Sequence, residues 1–351
     1  MDLFNDAKDL LKKLIETQSY SREEQPTHEI LKRFFEEKGI STSSIKNNLW
    51  AVNKNFDPNK PTILLNSHHD TVKPNAGYTR NPLSPDEEDG KLYGLGSNDA
   101  GGCLVALIAA FRHFYLSKEL NYNLCMLCTA EEEISGPNGM ALAKSEIPPI
   151  DFAIVGEPTL LDAAISEKGL IVIDAYAHGK AGHAAREEGE SALYKAVDDI
   201  SWIKSYEFPN TSPTLGKVKM SATVMNSGTQ HNVVPDLAHY IIDVRVTDSY
   251  KNDEVVEIIN RNTHAEIKPR SLRLTSSSIP KTHPIVQAAI KSGSKTYGSP
   301  TLSDQALLND IPSLKMGPGD SARSHTANEF IYIEEIKQGI EKYITCLSEI
   351  L

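Results

Sequence analysis

The feature of this sequence that most constrains its fold is a set of short apolar runs that end directly in histidine or acidic residues. TILLNS runs into His68–Asp70, NLCMLCTA into Glu131–Glu133, and FAIVG into Glu157. Such continuous apolar runs are typical of strands buried on both faces of a parallel sheet. Because ligands collect at the carboxyl ends of strands in open α/β sheets, we expect these polar groups to meet at one edge.

The order of strand-like and helix-like segments predicts two domains. Strands and helices alternate up to residue 167 and again from residue 276, which indicates an α/β domain with a mostly parallel sheet. Between them, residues 168–275 contain segments in which apolar and polar residues alternate, as in an antiparallel sheet with one face in water, and two helical stretches. We therefore predict a discontinuous domain, 1–167 plus 276–351, with an inserted α+β domain of split βαβ, ferredoxin-like type at 168–275.

Two helices are predicted before the first buried strand. Apolar residues recur at helical spacing from Leu3 to Ile15. A second helix is expected to begin at Ser21, with Glu24 completing a capping box, and to end at Gly39.

Composition excludes several classes of protein. The chain has 36 Lys and Arg against 47 Asp and Glu, a formal net charge of −11, which argues against a nucleic-acid partner.

The start of the chain lacks the pattern of a signal peptide, and the most apolar stretch, Leu104–Ala110, is too short to cross a membrane. Cys125 and Cys128 lie in an apolar run and are interpreted as core residues rather than a redox or zinc pair. We expect a cytoplasmic protein.

Several carboxylates at the ends of apolar strands would repel one another unless a cation neutralised them. Asp99 ends GLGSND, and His325 lies in the glycine-rich segment GPGDSARSHTANEF. Each fragment alone also fits a surface turn or a core histidine. GLGSND resembles the start of a dinucleotide loop, but Asp99 stands where the third glycine should be. The complete set favours a metal site.

These segments resemble the co-catalytic zinc metallopeptidase family that contains acetylornithine deacetylase, succinyl-diaminopimelate desuccinylase, aminoacylase and carboxypeptidase G. The resemblance spans the chain and is carried, in order, by NSHHDTV, GLGSNDAGG, TAEEEISG, VGEPT, GKAGHAA, HNVVPDLAHYIIDVR and GPGDSARSHTANEF. It implies a zinc-hydrolase catalytic domain with an inserted dimerisation domain. Two departures, Ala100 after Asp99 and the segment GSPTLSDQAL, weaken inference about the substrate.

The resemblance implies two Zn²⁺ ions, with Co²⁺ or Mn²⁺ as possible substitutes. His68 and Glu157 resemble the ligands of one ion, Glu133 and His325 those of the other, and Asp99 the carboxylate that bridges them.

Two further acidic residues have implied roles near the metals. Glu132 resembles the general base, provided that the acidic pair is Glu132-Glu133 and not shifted by one to Glu131. Asp70 resembles the residue that orients the His68 ring, and the peptide bond after Asp99 is expected to be cis.

The inserted domain is implied to pair two chains into a homodimer. His183 resembles a histidine that reaches the partner's active site, and the alternative is a surface histidine. Asn232 and Arg245 match positions linked to substrate binding. Arg245 suits a carboxylate because its guanidinium binds both oxygens, although an internal ion pair fits it equally well.

The function implied is hydrolysis of the amide bond of a small N-acyl amino acid. N-acetylornithine, or an acyl-citrulline, in arginine biosynthesis is the first choice. Succinyl-diaminopimelate desuccinylase, and a dipeptidase or aminoacylase, are the alternatives within the family. A non-catalytic binding protein that kept the fold would be expected to lack a ligand or the base, and none of these residues is missing.

Overall fold

The structure is a computed structural model that describes residues 2–308 and 311–351. The chain forms two compact units. Unit 1 comprises Met1–Ser166, Ser278–Tyr297 and Ser303–Leu351, and unit 2 comprises Glu167–Ser277 and Gly298–Leu302. The sequence had suggested 168–275 for the second unit, without the short segment Gly298–Leu302.

The helices and strands are numbered in chain order. The helices are α1 (Leu3–Ile15), α2 (Gln25–Glu37), α3 (Gly102–Phe114), α4 (Met140–Ala143), α5 (Ala192–Ser205), α6 (Asn252–Asn262), α7 (Pro284–Lys291) and α8 (Ile333–Ser348). The strands are β1 (Ser43–Ile45), β2 (Asn48–Val52), β3 (Thr62–His68), β4 (Glu87–Glu88), β5 (Lys91–Tyr93), β6 (Asn123–Thr129), β7 (Phe152–Val155), β8 (Ala163–Glu167), β9 (Gly169–His178), β10 (Gly182–His183), β11 (Lys219–Ser227), β12 (Val233–Val234), β13 (Leu237–Val246), β14 (Glu266–Pro269), β15 (Ser277–Ser278), β16 (Thr296–Ser299), β17 (Ser313–Lys315) and β18 (Phe330–Tyr332). None of the helices in the described residues is both long and apolar enough to cross a membrane.

Unit 1 is built on a sheet whose centre is parallel. Its strand order includes β1-β2-β6-β3-β7-β17-β8. β6, β3, β7 and β17 run parallel to one another, whereas β2 and β8 are antiparallel to their neighbours. Every residue of β3, β6 and β7 is buried, as the continuous apolar runs predicted. The predicted α/β class with a mostly parallel sheet is confirmed.

The helices of unit 1 cover this sheet with the faces that their sequences predict. α1 buries Ala7, Leu10, Leu11, Leu14 and Ile15, the stripe expected from helical spacing. α3 is buried on almost every face because it lies between the sheet and other helices, with α1 and α8 among its contacts. Its N-terminus follows the turn that carries Asp99.

The predicted start of the second helix is wrong. α2 begins at Gln25, and neither Ser21 nor Glu24 caps it through a side chain. The Ser21 hydroxyl instead donates to Asp70 Oδ2 at 2.7 Å. The buried Glu24 carboxylate accepts the side-chain amide of Asn47 at 2.9 Å and the backbone N–H of Glu131 at 3.2 Å. The Ser21 hydroxyl and the Glu24 carboxylate therefore form hydrogen bonds with residues far away in sequence, instead of capping α2.

Unit 2 contains an antiparallel sheet in the order β11-β13-β9-β14, with α5 and α6 in the β9-α5-β11-β13-α6-β14 sequence of a split βαβ arrangement. Buried and partly exposed residues alternate along β9 and β13. The sheet therefore has one face on a core and one face toward water, as its sequence pattern predicted.

Candidate metal centre

Three neighbouring strands of unit 1 deliver polar side chains to one edge of the sheet. His68 ends β3 and is in register with Thr129 at the end of β6, and Asn66 of β3 is in register with Val155 at the end of β7. Glu132 and Glu133 follow β6, and Glu157 follows β7. Their meeting follows from the parallel register, because parallel strands finish at the same edge.

The imidazole of His68 is surrounded by carboxylates. Its Nε2 lies 3.4 Å from Asp99 Oδ1, and 3.8 Å from both Glu132 Oε2 and Glu157 Oε1. His68 itself is 1% exposed. The peptide bond after Asp99 is cis, as the family resemblance led us to expect.

A second imidazole faces the other oxygen of the same aspartate. His325 Nε2 lies 3.5 Å from Asp99 Oδ2 and 2.9 Å from Glu133 Oε2. Asp99 thus separates His68, which has Glu132 and Glu157 at equal distance, from the pair formed by His325 and Glu133. His325 adopts a left-handed backbone, with φ of 58°, in the loop between β17 and β18.

The charges in this cluster are crowded enough to shift most of the pKa values. Burial, reinforced by the Asp99 carboxylate, raises the pKa of Glu157 to about 8 despite the favourable His68 imidazole. Burial likewise raises the pKa of Glu132 well above its usual range. A hydrogen bond to Glu133 raises the pKa of His325 to about 9. The two imidazoles cannot neutralise all of the carboxylates around them. Bound divalent cations commonly balance the negative charge of such a cluster.

The donor atoms suit a metal. Nε2 of His68 is buried and makes no hydrogen bond with any residue that the structure describes, although four carboxylates surround the imidazoles. Two sets have one potential ligand atom per residue within 4.8 Å of one another: His68, Asp99 and Glu133 in the first, and His68, Glu132 and Glu157 in the second. Imidazole nitrogen and carboxylate oxygen are ordinary zinc ligands. Distance alone allows Glu132 to be either a ligand or a base.

Asp70 organises more than the His68 ring. The nearest partner of His68 Nδ1 is the main-chain carbonyl of Asp70 at 3.0 Å, and the Asp70 carboxylate is 3.5 Å away. That carboxylate accepts the backbone N–H groups of Glu132 and Glu133, at 3.0 and 3.2 Å, and the Ser21 hydroxyl. Burial opposes ionisation of Asp70, but the His68 hydrogen bond and these donors lower its pKa. Asp70 therefore sets the position of the Glu132–Glu133 backbone.

Glu131 points away from the cluster. Its carboxylate accepts the side-chain amide of Asn138 at 2.7 Å and the Asn138 backbone N–H at 3.2 Å, and its backbone is left-handed with φ of 54°. Glu131 thus secures the loop after β6, whereas Glu132 faces His68. Of these two glutamates, Glu132 is therefore the one whose carboxylate lies beside the cluster.

His69 has its ring inside the protein. Its Nδ1 is 2.9 Å from the Thr27 hydroxyl and its Nε2 is 2.9 Å from the Asn47 carbonyl. Burial lowers the pKa of His69 to about 4, so the ring is neutral at pH 7. It is a structural histidine, as its place on the opposite strand face from His68 indicated.

The remaining sequence candidates lie in unit 2. His183 is exposed in β10, which pairs with β12 directly after Asn232, and the Asn232 carbonyl accepts the N–H of Ala184 at 3.0 Å. Arg245 makes two hydrogen bonds to Asp243, at 2.9 and 3.1 Å. Arg245 therefore forms the internal ion pair that the sequence left open.

Sequence reasoning named no role for Asp304 or Glu329. Asp304 is 3% exposed and accepts the Thr129 hydroxyl at 2.6 Å. Burial raises its pKa to about 6. It lies in the GSPTLSDQAL segment already noted as divergent. Glu329 lies four residues after His325 and is 2% exposed. Only its closeness to His325 in the chain could have drawn attention to it.

Comparison with known proteins gives one family. The sequence profile of Peptidase family M20/M25/M40 matches residues 64–349. The LysW-lysine/LysW-ornithine hydrolase of Sulfurisphaera tokodaii is 26% identical over 358 residues, covering 98% of this chain and 95% of that protein. The acetylornithine deacetylase of Proteus mirabilis is 27% identical over 312 residues, covering 82% of this chain and 80% of that protein.

Solved structures share the fold over nearly the whole chain. The aminopeptidase PepT of Bacillus cereus superposes with a TM-score of 0.79 at 19% identity, covering 99% of this chain and 98% of that one. The YXEP protein of Bacillus subtilis, described as a dinuclear metal binding peptidase, has a TM-score of 0.74 at 18% identity with the same coverage. At such identities the likeness concerns the fold.

Proposed function

The chain belongs to peptidase family M20/M25/M40, and we propose that it is a two-zinc enzyme that hydrolyses the amide bond of an N-acyl amino acid. Metal-dependent amide hydrolysis is the activity of its family. The two ions, their identity as zinc and the acyl amino acid substrate are our proposal.

The observation that carries the proposal is the division of the Asp99 carboxylate. Oδ1 faces His68 at 3.4 Å and Oδ2 faces His325 at 3.5 Å. A carboxylate placed in this way can bind one ion through each oxygen. Glu157 beside His68 and Glu133 beside His325 would then each supply one further carboxylate to hold the ions, a ligand number that suits a catalytic site.

When bound, the metal pair supplies positive charge that polarises a carbonyl and lowers the pKa of water. Glu132 is proposed to take a proton from the attacking water and to deliver it to the leaving amine. Its position supports this role, because Glu132 Oε2 lies 3.8 Å from Nε2 of the proposed ligand His68. Asp70 holds the Glu132 backbone and so aims the base.

The amino acid released is proposed to be ornithine. Two relatives that cover most of the chain carry ornithine in their names, one as LysW-ornithine and one as acetylornithine. N-acetylornithine is our first choice, which would place the enzyme in arginine biosynthesis. A succinyl-diaminopimelate desuccinylase of Wolbachia pipientis is also similar, at 24% identity and 99% coverage of this chain, so that substrate is the principal alternative.

We further propose that unit 2 pairs with its copy in a homodimer. β11 is an edge strand of the sheet, and Val224 and Met225 on it are 42% and 36% exposed. Tyr194 and Val197 on the adjoining helix α5 are 72% and 48% exposed. An exposed apolar sheet edge beside exposed apolar residues of a helix is typical of a protein–protein interface. Two-fold symmetric dimers are the commonest assemblies that bury such a surface.

The test is an amide-hydrolysis assay of protein loaded with zinc and shown to bind it. The panel contains N-acetylornithine, N-acetylcitrulline, succinyl-diaminopimelate and several dipeptides. We expect hydrolysis of N-acetylornithine that stops on chelation and in Glu132→Ala. A metal-loaded protein that cleaves only dipeptides would correct the substrate, and one that cleaves no member of the panel would contradict the proposed activity.

A further inference from the structure

The turn that carries Asp99 is folded around a buried carboxylate from a distant part of the chain. Glu329 Oε1 accepts the backbone N–H groups of Asn98 at 2.8 Å and of Asp99 at 2.9 Å, and Oε2 accepts that of Gly96 at 3.0 Å. The residues are separated by 230 positions or more in sequence. Three main-chain donors therefore converge on one side chain.

The backbone of this turn is shaped to donate hydrogen bonds to a single acceptor group. Gly96 has φ of +74°, and a side chain there would collide with Thr71. Successive N–H groups in such left-handed turns form concave anion sites. Here the occupant is the carboxyl group of the protein's own Glu329, which is 2% exposed, and the last donor belongs to the residue whose carboxylate lies between the two imidazoles.

A second contact ties the same turn to the loop that carries His325. The Asn98 side chain accepts the backbone N–H of Asp320 and donates to the Asp320 carbonyl, both at 3.1 Å. Asn98 is fully buried. Glu329 and Asn98 therefore join the Asp99 turn to both ends of the segment 320–329, within which His325 lies.

We propose that Glu329 is a positioning residue for the metal centre, one that holds the Asp99 carboxylate and the His325 imidazole in register before metal arrives. The inference rests on the proposed two-metal function. Glu329 contacts Asp99 only at its backbone N–H. The two carboxylate oxygens of Asp99 can therefore still face the imidazoles of His68 and His325. Without Glu329, the turn would lose three hydrogen bonds and part of its preorganisation.

The rival explanation is that Glu329 is only a buried carboxylate that stabilises the fold. Asp199 in unit 2 provides a matched control. It is 1% exposed and also accepts two backbone N–H groups, those of His264 at 2.8 Å and Ala265 at 3.1 Å. Its partners are not candidate metal ligands. Asp199→Asn should therefore reproduce the loss of stability without touching the metal centre.

The experiment measures zinc affinity by competition with a chromophoric chelator, in the absence of substrate, for wild type, Glu329→Gln and Asp199→Asn. In Glu329→Gln the amide oxygen can still accept from Asn98 and Asp99, but the NH₂ group would face the N–H of Gly96. We expect zinc affinity to fall about 10–100-fold, the usual effect of losing a partner of a metal-binding residue. Asp199→Asn should bind zinc within about threefold of wild type.

Equal zinc affinity in wild type and Glu329→Gln, with both variants losing similar thermal stability, would overturn the inference. Wild-type protein that binds no zinc would instead overturn the proposed function. Should Glu329→Gln fail to fold, amide hydrogen exchange of metal-free wild type decides the question. Slow exchange at Gly96, Asn98 and Asp99 is expected, and exchange as fast as in exposed loops would overturn the preorganised turn.

Discussion

The backbone N–H of Glu132 donates to Oδ1 of Asp70 at 3.0 Å. Asp70 also accepts from Glu133 and Ser21, and its carbonyl lies 3.0 Å from His68 Nδ1. One aspartate thus orients both the imidazole of the proposed ligand His68 and the loop that bears the proposed base.

Replacing Asp70 should damage metal binding and turnover together. For Asp70→Asn we expect metal affinity and kcat each to fall by about 10–100-fold, because a donor NH₂ replaces an acceptor next to several N–H groups. Ser21→Ala, which removes a single donor to the same carboxylate, should have a smaller effect in the same direction. Competition with a chelator and steady-state kinetics measure both quantities. A Ser21→Ala effect larger than that of Asp70→Asn would mean that Ser21 acts by another route.

The roles of the adjacent glutamates can be separated by comparing their variants. Glu132→Ala should lose about 10²–10⁴-fold in kcat while two metals stay bound, because Glu132 is proposed as a base and this is the usual cost of losing one. Glu131→Gln should keep both metals and most activity but lower the thermal stability of the loop, because the Glu131 carboxylate accepts from the side chain and the backbone N–H of Asn138. Metal content by mass spectrometry, together with kinetics, checks both. Loss of a metal in Glu132→Ala would make Glu132 a ligand.

His69 should make the metal-free protein less stable in acid. Its pKa is lowered to about 4 in the fold, against about 6.5 in an unfolded chain. As pH falls below 6.5 the unfolded state binds a proton that the folded state refuses. The free energy of unfolding should therefore decrease as the pH falls, and the His69 contribution to this decrease should reach roughly 3 kcal/mol by pH 4. Above pH 6.5, His69 should make no contribution to the pH dependence. Urea denaturation of wild type and His69→Gln checks this. The contribution is the difference between their pH profiles, and parallel profiles would refute it.

The family resemblance implies that His183 reaches the partner's active site, and we propose that it donates there to the oxyanion formed from the scissile carbonyl. This role predicts complementation. His183→Ala and Glu132→Ala should each be inactive alone. If subunits exchange, one of the two sites in each mixed dimer has both groups intact, and activity should return. Removing one oxyanion donor typically costs about 3 kcal/mol in the barrier, so recovery would stand well above background. Mixed dimers shown to form by mass spectrometry but lacking activity would assign His183 to its own chain or to structure.

The sequence correctly predicted the helices and strands that are marked by a periodic or an uninterrupted pattern of apolar residues. The stripe of α1 and the apolar runs of β3, β6 and β7 appear in the structure because burial reinforces their pattern. The predicted start of α2 was wrong because long-range contacts outweighed a local pattern. Ser21 and Glu24 form an ordinary local capping pattern, but Asp70 and Glu131 bind them from more than 45 residues away.

The contacts that organise the candidate metal centre also could not be predicted from local sequence patterns. Glu329 carries no residue pattern that marks it as an acceptor for the turn at Gly96–Asp99. That relation depends on a left-handed glycine and a loop closure that only the folded chain displays. Arg245 was ambiguous in sequence because its partner, Asp243, is two residues away on the same strand face.

Anomalous diffraction at the zinc absorption edge, from crystals of zinc-loaded protein, would locate the bound ions. We predict two peaks roughly 3.5 Å apart, the usual separation in co-catalytic sites. One peak should be bound by His68 and Glu157, the other by His325 and Glu133, with Asp99 between them and Glu132 in contact with neither ion. A single peak, or a peak bound by Glu132 in place of Glu157, would contradict this prediction.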